Sequence, residues 1–375
     1  MVEIFFKKLA TMMLGQSMTK ALEDYYGKVD KKKYCRYRER QQTIRSEFRR
    51  NSCIPEDDYQ SSWKSLTPIN TPLALISQIQ RSGGSLLSQL FDGHPQLHAH
   101  PHELKIGFPK KYIWPELDMK DSPDLWFEML FEHDVITHSR DGYEKGQGDG
   151  KTFQFTFPPA LQHKLFLDCL TDRKDTSQRD ILNAYMTSYF NAWLNNQNIG
   201  GKKRYITAFT PRLSIRQTNV KSFFETYPDG RLISLVRDPR NWYPSAHSHE
   251  NAKNKYDNID KAISQWNEST ETMIRNKIEF ADQVCILRFE DLVSETERVM
   301  RYLAHFLEID FDPILLTPTF NITPILANTS FRQEKGEIQA GTLNRHQSLT
   351  AEEDKLIKKL SEDRYRQVLT KVVAF

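Results

Sequence analysis

The chain has 375 residues, of which 27% are charged and 11% are aromatic, and its formal net charge is +3. This composition excludes a largely disordered chain, because the apolar and aromatic residues suffice for a sizeable core. A net charge this small does not indicate a nucleic-acid partner.

The cysteines lack the paired spacing of a disulfide framework or a zinc knuckle. A reducing compartment is the simpler interpretation, and we predict a cytoplasmic protein. No stretch of the sequence approaches the roughly 18 to 20 consecutive apolar residues that span a bilayer. The cysteines are Cys35, Cys53, Cys169 and Cys285.

Residues 1–70 are predicted to form a basic, helical N-terminal extension. They include the run KKKYCRYRERQQTIRSEFRR, and blocks of like charge are usually solvated helix faces. The functional alternative is a basic surface that contacts an anionic membrane peripherally, or a glycan. Ser61–Pro72 is rich in Ser, Thr and Pro, and this composition predicts a segment that leads into a main domain of residues 71–375.

The main domain opens with a strand, a glycine-containing turn and a helix. LALISQI (73–79) predicts a buried strand, and LLSQLF (86–91) predicts the helix. The turn RSGGS (81–85) has no Lys after its glycines, unlike the triphosphate motif G-x-x-x-x-G-K-[ST]. Such a turn also occurs for packing alone, but its N–H groups and the helix start favour a phosphate site.

Histidines are concentrated in DGHPQLHAHPHELKIG (92–107). His98, His100 and His102 alternate, so they would share one face of a strand. No Asp, Cys or further His completes a ligand set at close spacing, and we predict that these histidines hold no metal.

A second glycine-rich stretch, GQGDGKT (146–152), ends like a triphosphate loop. The first glycine of that motif would fall at Lys145, no apolar strand precedes the stretch, and FQFTFPP follows where a helix should begin. We interpret the region of about 140–160 as a surface insertion, which could border an acceptor cleft.

Strands and helices alternate in the rest of the chain. This alternation predicts a three-layer α/β fold, with a central parallel sheet flanked by helices and ligands at the carboxyl ends of the strands. A C-terminal helix is predicted at about 349–372. The alternating segments are RYITAF (204–209), VKSFFETY (220–227), LISLV (232–236), DKAISQWNESTETMIRNKI (260–278) and VCILRF (284–289).

A second anion site is predicted where LISLV ends. Arg237 follows the strand, Asp238-Pro239 opens a helix as N-cap and first-turn residue, and Ser245 lies about two turns further on. An Asp-Pro helix start is common by itself. Two anion motifs on one parallel sheet, however, fit a ligand that carries phosphates at two separated places.

In these residues the chain resembles the sulfotransferases that use 3′-phosphoadenosine 5′-phosphosulfate (PAPS), especially the bacterial and Golgi-type branches. RSGGS followed by LL and DGHP is similar to their 5′-phosphosulfate loop, and LVRDPR with the later Ser is similar to their 3′-phosphate motif. Residues 287–309 and 318–332 resemble the later strand–helix unit and the closing loop. The resemblance covers roughly residues 72–350 and implies a P-loop-like fold with PAPS as the sulfuryl donor and no metal.

The resemblance also implies roles for individual residues. Arg81 and the loop N–H groups would hold the 5′-phosphate, and Arg81 with Ser85 would stabilise charge on the leaving group. Arg237 and Ser245 would hold the 3′-phosphate. The N–H groups belong to Ser82, Gly83, Gly84, Ser85 and Leu86.

Two residues depart from the family pattern. Gly84 replaces the usual Thr or Ser, which removes a hydroxyl but no backbone donor, and His249 stands where several relatives place a second Arg. Arg332 or Arg345 could supply that charge, and spacing does not choose between them.

An acceptor hydroxyl that attacks sulfur must lose its proton to a base. In similar bacterial and Golgi-type enzymes a Glu shortly after the HP pair serves as that base, and Glu103 is the matching residue. His102 is the alternative.

The acceptor itself cannot be identified from the sequence. The aromatic segments KKYIWPELD (110–118) and RNWYP (240–244) favour a saccharide or glycolipid that stacks on them, although such residues equally often pack in cores. Two other function classes compete: a P-loop nucleotide kinase or NTPase, which the missing Lys disfavours, and a catalytically silent glycan-binding relative.

Overall fold

The computed structural model describes residues 66–107, 112–146, 152–171, 175–248, 256–325, 338 and 340–375. Contacts divide the chain between Ser61 and Ser62, and the described residues all belong to the second unit. The predicted basic extension up to residue 65 lies outside them, as do His249 and Arg332. The division at residue 70 stays a prediction.

The described elements alternate largely between strand and helix. In addition, 3₁₀ turns cover Leu213–Ile215, Ala281–Gln283, Pro313–Leu316 and Ala340–Ser348. The strands and α-helices in chain order are β1 (Leu73–Ile76), α1 (Gly84–Phe91), β2 (Leu97–Glu103), α2 (Pro123–Leu130), α3 (Asp134–Asp141), β3 (Tyr143–Gly146), β4 (Thr152–Phe153), α4 (Pro159–Leu170), α5 (Gln178–Ala192), β5 (Tyr205–Phe209), α6 (Gln217–Thr226), β6 (Arg231–Val236), α7 (Pro239–His247), α8 (Ile259–Phe280), β7 (Val284–Arg288), α9 (Phe289–Ser294), α10 (Thr296–Phe306), β8 (Thr319–Phe320), β9 (Thr323–Pro324) and α11 (Ala351–Leu369).

Five parallel strands form the central sheet in the order β2-β5-β1-β6-β7. Parallel strands are buried on both faces and therefore read as nearly continuous apolar runs. This is why LALI, YITAF and LISLV were recognisable in the sequence. Two antiparallel hairpins, β3–β4 and β8–β9, lie apart from this sheet.

Alternate residues of the central strands pack into two separate cores. Ile233 and Leu235 of β6 pack with α1 and α10, whereas Val236 packs with α7, α8 and α11. Because side chains alternate across a strand, the sheet carries a helical layer on each face. The predicted three-layer α/β fold is confirmed.

The ends of some predicted elements shift for local reasons. The predicted first strand is assigned only as far as Ile76. After it, Ser77 N still donates to Ile233 O of β6, while Ser77 Oγ donates to Thr210 O and accepts from Ser214 N. The predicted C-terminal helix is α11, which begins with a capping box between Thr350 and Glu353.

The insertion begins with the hairpin β3–β4, and residues 147–151 of GQGDGKT lie outside the described part. None of the helices in the described ranges combines the length and apolar content of a membrane span.

Candidate functional site

The loop after β1 turns sharply at two residues with positive φ. Arg81 has φ 69°, and Gly83, the N-cap of α1, has φ 97°. A side chain at Gly83 would strike the ring of Phe289, so both backbone conformation and space require glycine. The helix begins without a side-chain cap, and the first-turn N–H groups of an α-helix have no intrahelical acceptor. This geometry suits an anion.

The remaining loop residues follow at the start of α1. Ser82 is buried, and its Oγ has no hydrogen-bond partner among the described residues. Ser85 and Leu86 lie in the first helical turn and are half-buried. The structure therefore places the predicted 5′-phosphate donors in one continuous turn.

Gly84, the departure from the family pattern, has a packing explanation. A Cβ at this position would overlap the ring of Phe209, at the end of the neighbouring strand β5, and the amide of Gln78. The space that a Thr or Ser side chain would need is thus occupied. The aromatic residue at 209 and the glycine at 84 are complementary.

We expect Gly84→Ser to lower the free energy of unfolding by about 1–3 kcal/mol, because the added atoms overpack this contact. Urea denaturation measures the change. Gly200→Ser is the matched control, since a Cβ there meets nothing within 4 Å. Equal stability of both variants would contradict the packing explanation.

Arg237 directly follows β6 and joins the two predicted anion motifs. Its Nη1 donates to the backbone oxygen of Arg81 over 3.0 Å, and its Nη2 donates to the backbone oxygen of Thr342 over 2.7 Å. The guanidinium also lies over Phe289, with its carbon 4.5 Å from the ring centroid. Arg237 is buried, and its Nε has no partner among the described residues.

Ser245 lies on the helix that Asp238 and Pro239 begin, as predicted. Asp238 is the N-cap of α7, and its side chain accepts from Arg240 N. Two turns further on, the buried Ser245 Oγ lies 3.4 Å from Arg81 Nε, which donates to it. The two anion motifs, far apart in sequence, therefore meet in space.

Three guanidinium groups share this edge of the sheet. Burial lowers the pKa of Arg237 to about 10, Arg345 and Arg81 lower it as well, and nearby Glu290 opposes them. Burial and then Arg345 also lower the pKa of Arg81. Clustered buried cations destabilise one another, and a bound anion would reverse that effect. The site is thus electrostatically suited to phosphate groups.

Arg345 enters the site from the late 3₁₀ segment. That segment is attached to α7, because Asn241 Oδ1 accepts from the backbone N–H of His346 over 3.0 Å. Arg345 Nε is buried without a partner among the described residues. Of the two candidates for the missing charge, Arg345 is the one that the structure brings to Arg81 and Arg237, and Arg332 lies outside the described part.

Two residues at the start of α9, Phe289 and Glu290, contact the site and were not predicted from the sequence. Phe289 separates Gly83 from the guanidinium of Arg237 and contacts both. Glu290 Oε1 accepts from the backbone N–H of Asp238 over 3.0 Å, at the start of α7. Burial raises the pKa of Glu290. Both residues lie in 287–309, the segment noted for its resemblance alone, and that resemblance was the available signal.

Glu103 lies at the carboxyl end of β2. Its backbone is in register with Phe209 of β5, and Phe209 in turn packs against Gly84 of the loop. The side chain of Glu103 is partly buried. The proposed base is therefore joined to the loop across a single intervening strand.

His102, the alternative base, is buried in an aromatic environment. Its Nε2 lies 3.3 Å from Tyr189 Oη, and its ring contacts His138 and Phe155. Burial, followed by the charges of His100, His138 and Lys105, lowers the pKa of His102 well below its usual value. This environment favours a neutral imidazole.

Comparison with known proteins gives one family match. The sequence profile of the sulfotransferase family matches residues 72–313, and no curated protein matches the chain.

The solved structures that resemble this chain include the sulfotransferase domain from the Synechococcus PCC 7002 olefin synthase, at 19% identity over 80% of this chain and 97% of that chain, with a TM-score of 0.44. Sulfotransferase STF9 from Mycobacterium avium has 13% identity over 83% and 79% of the two chains, with a TM-score of 0.40. Mouse sulfotransferase SULT7A1, complexed with PAP, has 10% identity over 83% and 89%, with a TM-score of 0.34.

The profile match extends from the start of β1 to the segment after α10 and includes both anion motifs. From this match, we conclude that the chain belongs to the sulfotransferase family.

Proposed function

We propose that this chain transfers the sulfuryl group of PAPS to an acceptor hydroxyl. The observation that carries the proposal is the convergence of the two anion motifs, in which Arg81 contacts Ser245 and Arg237 is tied to the backbone of Arg81. A ligand with phosphates at two places would satisfy both motifs at once.

The unpartnered buried atoms support the fit of this donor. Ser82 Oγ, Arg237 Nε and Arg345 Nε are buried polar atoms without partners among the described residues, and buried polar groups normally find one. The loop N–H groups and Arg81 would bind the 5′-phosphate. The side chains of Arg237, Ser245 and Arg345 would bind the 3′-phosphate.

In the proposed reaction, the donor supplies an electrophilic sulfur and a phosphate leaving group. Glu103 removes the proton of the acceptor hydroxyl as that oxygen attacks in line. Arg81 and Ser85 stabilise the charge that develops on the leaving group. The moving group carries little charge, so the reaction proposed here requires no metal.

The acceptor is proposed to be a saccharide or glycolipid hydroxyl, and the protein to act in the cytoplasm. Peripheral membrane contact through the basic N-terminal extension belongs to the same proposal. Stacking by segment 240–244 does not support this acceptor, because Trp242 and Tyr243 are buried in the core, so the proposed sugar acceptor rests on the resemblance alone.

Calorimetric titration with adenosine 3′,5′-bisphosphate, in parallel with ATP and magnesium, tests the donor. We expect the bisphosphate to bind and to raise the Tm, because it binds only the folded state. Preference for ATP would favour the kinase or NTPase class instead. Bisphosphate binding without turnover across an acceptor screen would favour a silent glycan-binding relative.

A further inference from the structure

A buried polar cluster lies on β2, distinct from the anion site. His100, His102 and Glu132 each offer one ligand atom, and these atoms all lie within 4.8 Å of one another. Glu132 comes from the segment between α2 and α3, 32 residues after His100. The prediction that the histidines hold no metal considered only ligands close in sequence, and the fold supplies the missing carboxylate from a distance.

The hydrogen bond of His100 to a backbone carbonyl shows which nitrogen of its ring carries a hydrogen. Its Nδ1 lies 2.9 Å from the backbone oxygen of His102, and since a carbonyl only accepts, Nδ1 must carry the hydrogen. In a neutral ring, Nε2 then has a lone pair. That atom lies 3.1 Å from Glu132 Oε1, so two acceptors face each other unless a cation, either a proton or a metal ion, joins them.

Glu132 is buried and accepts two hydrogen bonds. Its Oε1 accepts from Tyr185 Oη over 3.2 Å, and its Oε2 accepts from the backbone N–H of Lys105 over 2.8 Å. Both donors are neutral groups, and a buried carboxylate requires a partner of opposite sign. His102 faces the same carboxylate, with its Nε2 3.8 Å from Oε2.

We propose that His100, His102 and Glu132 bind one divalent transition-metal ion of the zinc class. Two imidazoles and a carboxylate are a ligand set for such ions, and alternate positions on a strand present both imidazoles on one face. The bond from His100 Nδ1 to a backbone carbonyl is the usual support of a ligating histidine. Tetrahedral ligand atoms lie about 3.4 Å apart at a Zn–N distance of about 2.1 Å, so binding would draw the cluster together.

The ion would have a structural role next to the catalytic edge. It would fasten β2 to the segment before α3, and the ligand His102 directly precedes Glu103. Glu132 also accepts a hydrogen bond from the backbone of Lys105. The strand end that carries Glu103 would therefore be attached to Glu132 both before it, through the ion and His102, and after it, through Lys105. No step of sulfuryl transfer passes through the ion, and the site goes beyond the proposed function.

Metal analysis of the full-length protein tests this inference without any variant. We expect about one equivalent of zinc after expression in zinc-supplemented medium, a fall in Tm after removal by a chelator, and recovery with added Zn²⁺. Replacement by Co²⁺ should give visible absorption bands of low-symmetry coordination. A metal-free protein whose Tm does not respond to Zn²⁺ would overturn the inference, and the cluster would then be an imidazolium–carboxylate ion pair.

Glu132→Gln keeps the shape of the ligand and removes its charge. We expect this variant to lose the bound zinc and the response of Tm to Zn²⁺. His98→Gln is the matched control, because His98 is a buried histidine on the same strand but is not a member of the cluster, and it should retain the metal. Equal zinc content in Glu132→Gln and the wild type would also contradict the proposal.

Discussion

The Arg237→Ala variant is expected to lose at least about 100-fold in affinity for adenosine 3′,5′-bisphosphate. The side chain is buried, and its Nε has no partner among the described residues, so a bound phosphate would meet a desolvated, charge-assisted donor. Arg81→Ala should have a comparable effect, because it removes the charge from the loop and the contact to Ser245. Calorimetric titration of each purified variant measures the loss.

Arg240→Ala provides the matched control from the same RDPR motif. Arg240 pairs with Asp354 at 2.5 Å and is partly exposed, and it is not among the charges that shift the pKa of Arg237. Its removal should cost no more than about 1 kcal/mol of stability and leave the affinity nearly unchanged. If Arg237→Ala binds as tightly as Arg240→Ala, the buried arginine is a scaffold residue and not a phosphate ligand.

The parts of the fold that depend on local sequence were predictable. Buried parallel strands such as β6 are continuous apolar runs. The start of the helix after Arg237 is predicted by Asp238, its N-cap, and Pro239, its first residue. Both anion motifs follow such strands, so their common edge could be inferred from topology alone. Their direct contact through Arg81 and Ser245 depends on loop geometry that no spacing encodes.

Other parts of the site depend on partners that are remote in the chain. β2 was expected only as a shared face of histidines, because the side chains that contact His100 and His102, those of Glu132 and Tyr189, are remote in the chain and no local pattern reveals them. Likewise, Arg345 reaches the site because the late segment packs on α7. The packing explanation for Gly84 depends on Phe209, which lies on β5 and is remote from Gly84 in the sequence.

Glu103→Gln is expected to retain bisphosphate affinity and to lower kcat by about 100-fold to 10,000-fold, the usual contribution of a general base. The substitution keeps the size and hydrogen-bonding shape of the side chain but removes its ability to accept a proton at catalytic rate. Turnover with PAPS and an acceptor hydroxyl measures the effect, once an acceptor screen has supplied a substrate. The separation of binding from turnover distinguishes a base from a cofactor ligand.

His102→Gln decides between the two candidate bases. His102 is buried beside Tyr189 Oη, Phe155 and Glu132, and these surroundings favour a neutral ring that stays in place rather than one that exchanges protons with an acceptor. We therefore expect this variant to lose stability while each folded molecule keeps most of its turnover. Full turnover by Glu103→Gln, together with loss of turnover in folded His102→Gln, would transfer the role of base to the histidine. If both variants lose turnover but only His102→Gln also loses stability, Glu103 is the base and His102 supports the strand that positions it.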